Sequence, residues 1–181
     1  MALYEFEGKR PVVGRTSYVH PAATVIGAVT IGERCYIGAG AVLRADWEEI
    51  IIDDGSNVQD NAVIHIRGAM LGHPSVPTRL GRDSHIGHGA IVHAATLHRH
   101  VLVGIGAIIQ DRCVLGEDAI VGAGAVLLEG TEVAARKIVV GVPARVVGEV
   151  SDEQREYWLE ATRMYQDLAT RSLAGLRRLD A

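Results

Sequence analysis

The chain has 181 residues, 48% of them hydrophobic, yet only eight aromatic rings: five Tyr, two Trp and one Phe. That apolar share excludes a disordered chain, and two cysteines exclude a disulfide-stapled scaffold. A net charge of −4 gives no electrostatic reason to expect nucleic acid or an acidic membrane as partner. No apolar run approaches the roughly 20 residues of a membrane span, and the N-terminal segment lacks a signal-peptide core. With so few cysteines, a cytoplasmic setting is expected.

The elements follow one beat. Val13, Val19, Val25, Ile31, Ile37 and Leu43 are spaced by six. After three extra residues the step resumes at Ile52, Val58 and Ile64, and after ten more at Leu80, Ile86 and Val92. One five-residue step reaches Leu97, followed by Val103, Ile109, Leu115, Val121, Leu127, Val133 and Val139. A second column of small or slim residues lies four positions after the rungs, including Ser17, Ala23, Cys35, Ala41, Ser56, Ala62, Ser84, Ala90, Ala107, Cys113 and Ala119. A six-residue period of this kind specifies a parallel β-helix, in which three short strands make each triangular coil. An ordinary sandwich would alternate with period 2. The expected fold is all-β: a parallel β-helix over 1–148 with a protruding loop near 67–79, then a C-terminal α-helix within 149–181 packed along the prism. Pro143 marks the break. Ser151 and Gln154 form a capping-box pattern. Tyr157, Trp158, Ala161, Tyr165, Leu168 and Ala169 recur at helical spacing, and packing accounts for them.

Folding the rungs in threes converts sequence into geometry. Leu43, Ile64, Val92 and Ile109 fall on one face in consecutive coils, and the residues after them are Arg44, His65, His93 and Gln110. His65 and His93 are therefore expected as stacked neighbours about 4.8 Å apart along the prism, a spacing that suits two imidazoles on one metal ion. His88 falls on another face, with Asp60 in the equivalent position one coil below. A third ligand there need not reach the first two within one chain; a neighbouring copy is one source for it, and a cyclic trimer closes such contacts into a ring. Three histidines with an open fourth position make a catalytic zinc site that lowers the pKa of water to about 7. Arg44, Asp46, Asn57, Gln59 and Asp60 are expected nearby as orienting groups. His20, His85, His98 and His100 read as scattered, solvated surface residues. His73 lies in the insertion, and Cys35 and Cys113 fit the packing column.

The segments LRAD around Arg44 and Asp46, NVQDNAVIH from Asn57 to His65, and HIGHGAIVH from His85 to His93 resemble the gamma-class carbonic anhydrase family. The wording is most similar to the branch of phenylacetic acid degradation proteins and carnitine operon proteins. The resemblance implies that the parallel β-helix is left-handed and forms a homotrimer with metal sites at subunit interfaces: His65 and His93 from one copy, His88 from its neighbour, and Zn2+, Fe2+ or Co2+ between them. It implies that Gln59 touches metal-bound solvent, that Arg44 and Asp60 form an interface pair, and that Asp46 and Asn57 support the pocket. The implied activity is reversible hydration of CO2 to bicarbonate. Two departures stand against it. Trp47 occupies the place of an acidic proton shuttle, and Ile66, Arg67 and Gly68 replace an acidic loop. The alternatives are an acyl-CoA thioesterase of a phenylacetate-degradation type, or a hexapeptide acyltransferase.

Overall fold

The computed structural model describes residues 2–179. Met1, Asp180 and Ala181, which bound the two expected segments, lie outside the described residues. The chain winds as a left-handed parallel β-helix with one α-helix after it. Nineteen of the twenty rungs, all but Val13, belong to one buried aliphatic core, and Val13 packs against its end. The small column lies inside as well: Ser17, Ala23, Cys35, Ala41, Ser56, Ala62, Ser84, Ala90, Ala107, Cys113 and Ala119 are buried. Narrow corners leave no room for larger groups, which explains why Val, Ile and Leu carry the core without rings.

Two faces of the prism join into one 12-stranded sheet, because strands Thr24–Ile31 and Val42–Ile52 run round a corner. The register slips between Gly27 and Val29, where the second strand carries its three extra residues. Gly27 has φ +78°, and a β-carbon there would meet the Ala45 carbonyl oxygen at 2.3 Å. Only glycine satisfies both constraints. The third face is a separate sheet that includes Tyr18–Val19, Tyr36–Ile37, Asn57–Val58, His85–Ile86 and Leu102–Val103 in parallel register.

Pro143 is not a simple end of the repeat. It sits in the turn of an antiparallel hairpin between Lys137–Gly141 and Ala144–Glu149, which closes the last coil. The six-residue beat carries no information about a strand that reverses direction. Helix α1, Asp152–Gly175, begins with the capping box read from Ser151 and Gln154: Ser151 Oγ accepts from the Gln154 N–H, and Gln154 reaches back to the Ser151 N–H. The helix lies along the third face, against Tyr18–Val19, Tyr36–Ile37 and Asn57–Val58. Ala169 and Thr162 face inward, and Tyr165 packs on both Tyr36 and His85. Tyr157 departs from the expected stripe: it is exposed and rests edge-on against Trp158.

Candidate functional site

Parallel pairing between coils sets the first half of the site. Arg44, His65 and His93 follow buried rungs, and His65 pairs in register with Arg44 on one side and His93 on the other. Their side chains point outward from the same face. Nδ1 of His65 lies 3.1 Å from Nε2 of His93. The far nitrogens are held by carboxylates: Asp46 Oδ1 lies 3.1 Å from His65 Nε2, and Asp111 contacts His93 Nδ1. A carboxylate only accepts, so each far nitrogen carries the proton and donates. Both facing nitrogens then present lone pairs to one another. Two zinc–nitrogen bonds at the tetrahedral angle separate their nitrogens by about 3.3 Å, close to the observed gap. Histidines braced through their second nitrogen by carboxylates are the usual arrangement of metal-ligating imidazoles. The donor set therefore fits a divalent ion.

Burial pushes His65 below the ordinary histidine value, and the Asp46 hydrogen bond opposes this only in part. Burial works against charge on Asp46 too, but its own backbone N–H, His65 and the adjacent Arg44 guanidinium outweigh it and hold the carboxyl below its usual range. Arg44 pairs with Asp46 in the same strand.

Beside the pair opens a cavity of about 430 Å³ lined by Trp47, His65, Arg67, Met70 and His93, among others. The Trp47 ring lies edge-on to His65 and flat enough over Gly68 that a β-carbon there would meet the indole at 2.9 Å. Arg67 stands at the base of the insertion, where its backbone pairs with Val76. Its Nη1 reaches Asp111 at 3.5 Å and Glu129 at 3.4 Å, while Nε is buried without a partner. His73 is exposed at the loop tip.

The second half of the site is on the third face. His88 Nδ1 lies 3.3 Å from Asp60 Oδ2, both side chains nearly half exposed. Gln59 donates to Asn57 Oδ1 at 3.0 Å. A cleft of about 430 Å³ between this face and α1 is lined by Gln59, His88, Ile105, Trp158 and Tyr165, among others. The expectation that Asn57, Gln59 and Asp60 stand near His65 and His93 is thus corrected. Within one chain the candidates divide into Arg44, Asp46, His65 and His93 on one face and Asn57, Gln59, Asp60 and His88 on another. Within one chain Arg44 pairs with Asp46, and Asp60 with His88. Among the described residues, no group of three or more His, Cys, Asp or Glu side chains in one chain could hold a metal ion.

Two histidines read as solvated are buried. His85 is 2% exposed and His100 4%. Helix α1 covers His85, and His100 Nδ1 lies 2.6 Å from Asp118 Oδ1, whose other oxygen takes Nε of Arg155 from α1 at 3.0 Å. Outward-facing positions on a β-helix become interior ones wherever a helix docks. Asp111 is absent from the sequence expectations, although it lies two positions after Ile109, the register partner of Val92. His20 is half-buried, with Nδ1 accepting from the Ala22 N–H, and His98 is exposed. Cys35 and Cys113 are buried thiols in the core, and burial pushes Cys35 up to about 11.

Residues 10–45 and 94–129 match the family described as Bacterial transferase hexapeptide (six repeats). The chain is 40% identical over 176 residues to the carnitine operon protein CaiE of Proteus sp. (strain LE138), covering 97% of this chain and 86% of that protein. A crystal structure of a candidate acetyltransferase from Bacillus cereus superposes with a TM-score of 0.90 at 28% identity, covering 96% of this chain and 97% of the other. A mutant perosamine N-acetyltransferase from Caulobacter crescentus, solved with CoA and GDP-perosamine, gives 0.62 at 26% identity over 76% of this chain and 58% of that one. Among the described residues, no helix is long and apolar enough to cross a membrane. The chain belongs to the hexapeptide-repeat, gamma-class carbonic anhydrase-like family that includes the carnitine operon proteins.

Proposed function

We propose that this chain is a metal-dependent enzyme acting on acyl thioesters, assembled as a homotrimer whose sites join the two half-sites of adjacent copies. The observation that carries the reading is the His65–His93 pair opening into a cavity of about 430 Å³. That volume falls within the range of small-molecule pockets. Trp47 and Met70 give it an apolar wall, as an acyl group requires, and Arg67 adds a cation. The likeness to an acetyltransferase solved with CoA supports a thioester substrate. His65, His93 and His88 of a neighbouring copy would hold zinc, iron or cobalt, which supplies Lewis acidity and lowers the pKa of water. Asp46 and Asp111 keep the facing imidazole nitrogens unprotonated. Gln59 and Asn57 bring fixed hydrogen-bonding groups from the neighbour's face.

Reversible CO2 hydration is the second reading, favoured by the carboxylate-braced histidine pair itself. A metal-loaded sample assayed against a panel of aryl- and alkyl-acyl-CoA substrates and for CO2 hydration separates the two. Thioester turnover lost in His93→Ala supports the first. CO2 hydration with no thioester turnover replaces it with the second, and inertness toward both overturns both.

A further inference from the structure

We infer that helix α1, through Thr162 and His85, sets the carboxamide of Gln59 so that its oxygen rather than its nitrogen faces the cleft beside His88. Four buried side chains form an unbroken chain: Thr162, His85, Asn57 and Gln59. It starts at the Trp158 main-chain carbonyl, 3.0 Å from Thr162 Oγ1. That carbonyl only accepts, so the hydroxyl donates to it. The hydroxyl oxygen is then free to accept from His85 Nε2–H at 2.6 Å. His85 Nδ1 is left bare and accepts a hydrogen bond from Asn57 Nδ2 at 2.9 Å. Asn57 Oδ1 in turn accepts from Gln59 Nε2 at 3.0 Å. One donor direction runs the whole length, and Gln59 Oε1 is what remains for the cleft.

The opposite polarity is worse at a definite place. If Thr162 donated to His85, its oxygen and the Trp158 carbonyl oxygen would face each other across 3.0 Å with no proton between them. A protonated His85 would equally set Nδ1–H against the Asn57 amide. Burial and the neighbouring His100 hold His85 down to about 4, so the ring stays neutral at physiological pH. Thr162 and His85 are positioning residues. They decide which end of the Gln59 amide faces the cleft.

The cleft therefore offers an acceptor at Gln59, and its ligand must bring a donor: water, a hydroxyl or an amide N–H. That this ligand is the reacting group rests on the proposed function, whereas the polarity of the chain does not. The test is 15N NMR of the full-length protein labelled at histidine and glutamine, with His85 assigned by its loss in His85→Gln. The expected result is a wild-type His85 protonated at Nε2 and bare at Nδ1, unchanged between pH 5.5 and 8, and Gln59 amide protons protected from exchange. Thr162→Val removes the hydroxyl at constant volume; it should abolish the tautomer preference and cut the Gln59 protection at least tenfold. Thr162→Ser should retain both. A wild-type His85 protonated at Nδ1 overturns the inference even if the valine variant fails to fold, as does unchanged Gln59 protection in a folded Thr162→Val. If the orientation holds while the enzyme is inert toward thioesters and CO2, the proposed function fails alone.

Discussion

His65 Nδ1 and His93 Nε2 face each other across 3.1 Å with both of their far nitrogens committed to carboxylates. Two lone pairs at that distance call for a cation between them. The purified protein is therefore expected to take up zinc or cobalt stoichiometrically, measured by elemental analysis after dialysis. His65→Ala, His93→Ala and His88→Ala should each lose it. Because His88 is on another face, mixing His65→Ala with His88→Ala chains and reannealing them should restore part of the metal content. A mixture that binds no more than either variant alone would count against shared sites.

Asp111 holds His93 as Asp46 holds His65. Asp111→Asn keeps the shape but lets the amide donate to His93 Nδ1, which moves the ring proton to the metal-facing nitrogen. Metal affinity should fall about 10- to 100-fold, the usual cost of losing such a brace. A competition titration with a chromogenic chelator measures it.

Trp47 walls the cavity at His65 and packs on Gly68. In Trp47→Ala the KM for an aryl-acyl-CoA should rise about 10-fold, equivalent to about 1.4 kcal/mol of lost contact. A small acyl group such as acetyl should be affected less. Equal losses for large and small acyl groups would remove Trp47 from the acyl site.

His85 gives the fold an acid limit. Its folded-state value of about 4 lies below the ordinary histidine value of 6.5. The unfolded chain thus binds a proton that the native chain refuses between these two pH values, and stability falls as pH drops through that window. The loss from this residue is on the order of 3 kcal/mol by pH 4, and none of it appears above pH 7. Urea midpoints at pH 7.5 and 4.5 should converge in His85→Gln relative to wild type.

Ile64 is the rung directly before His65 in the same strand and is fully buried. Ile64→Ala leaves a hole that the neighbouring coils cannot close without breaking their register. A loss of about 2–5 kcal/mol is expected from denaturant unfolding.

The sequence by itself determined the coil, the rungs and the stacking of His65 on His93. Each coil repeats the pairing of the one below, so counting by six locates every outward residue on its face. It also determined the start of α1, because a capping box is local. Only the tertiary structure decided which outward residues are covered. His85 and His100 are buried because α1 lies over them, and helix docking leaves no mark in the hexapeptide beat. The tertiary structure likewise supplied Asp111 to His93 and reversed the chain at Pro143. Counting already set His88 and Asp60 on another face; the tertiary structure showed Asn57 and Gln59 hydrogen-bonded to each other there, away from the histidine pair of the same chain. Periodicity fixes the face of a residue, and the packing of non-repeating elements fixes what it meets there.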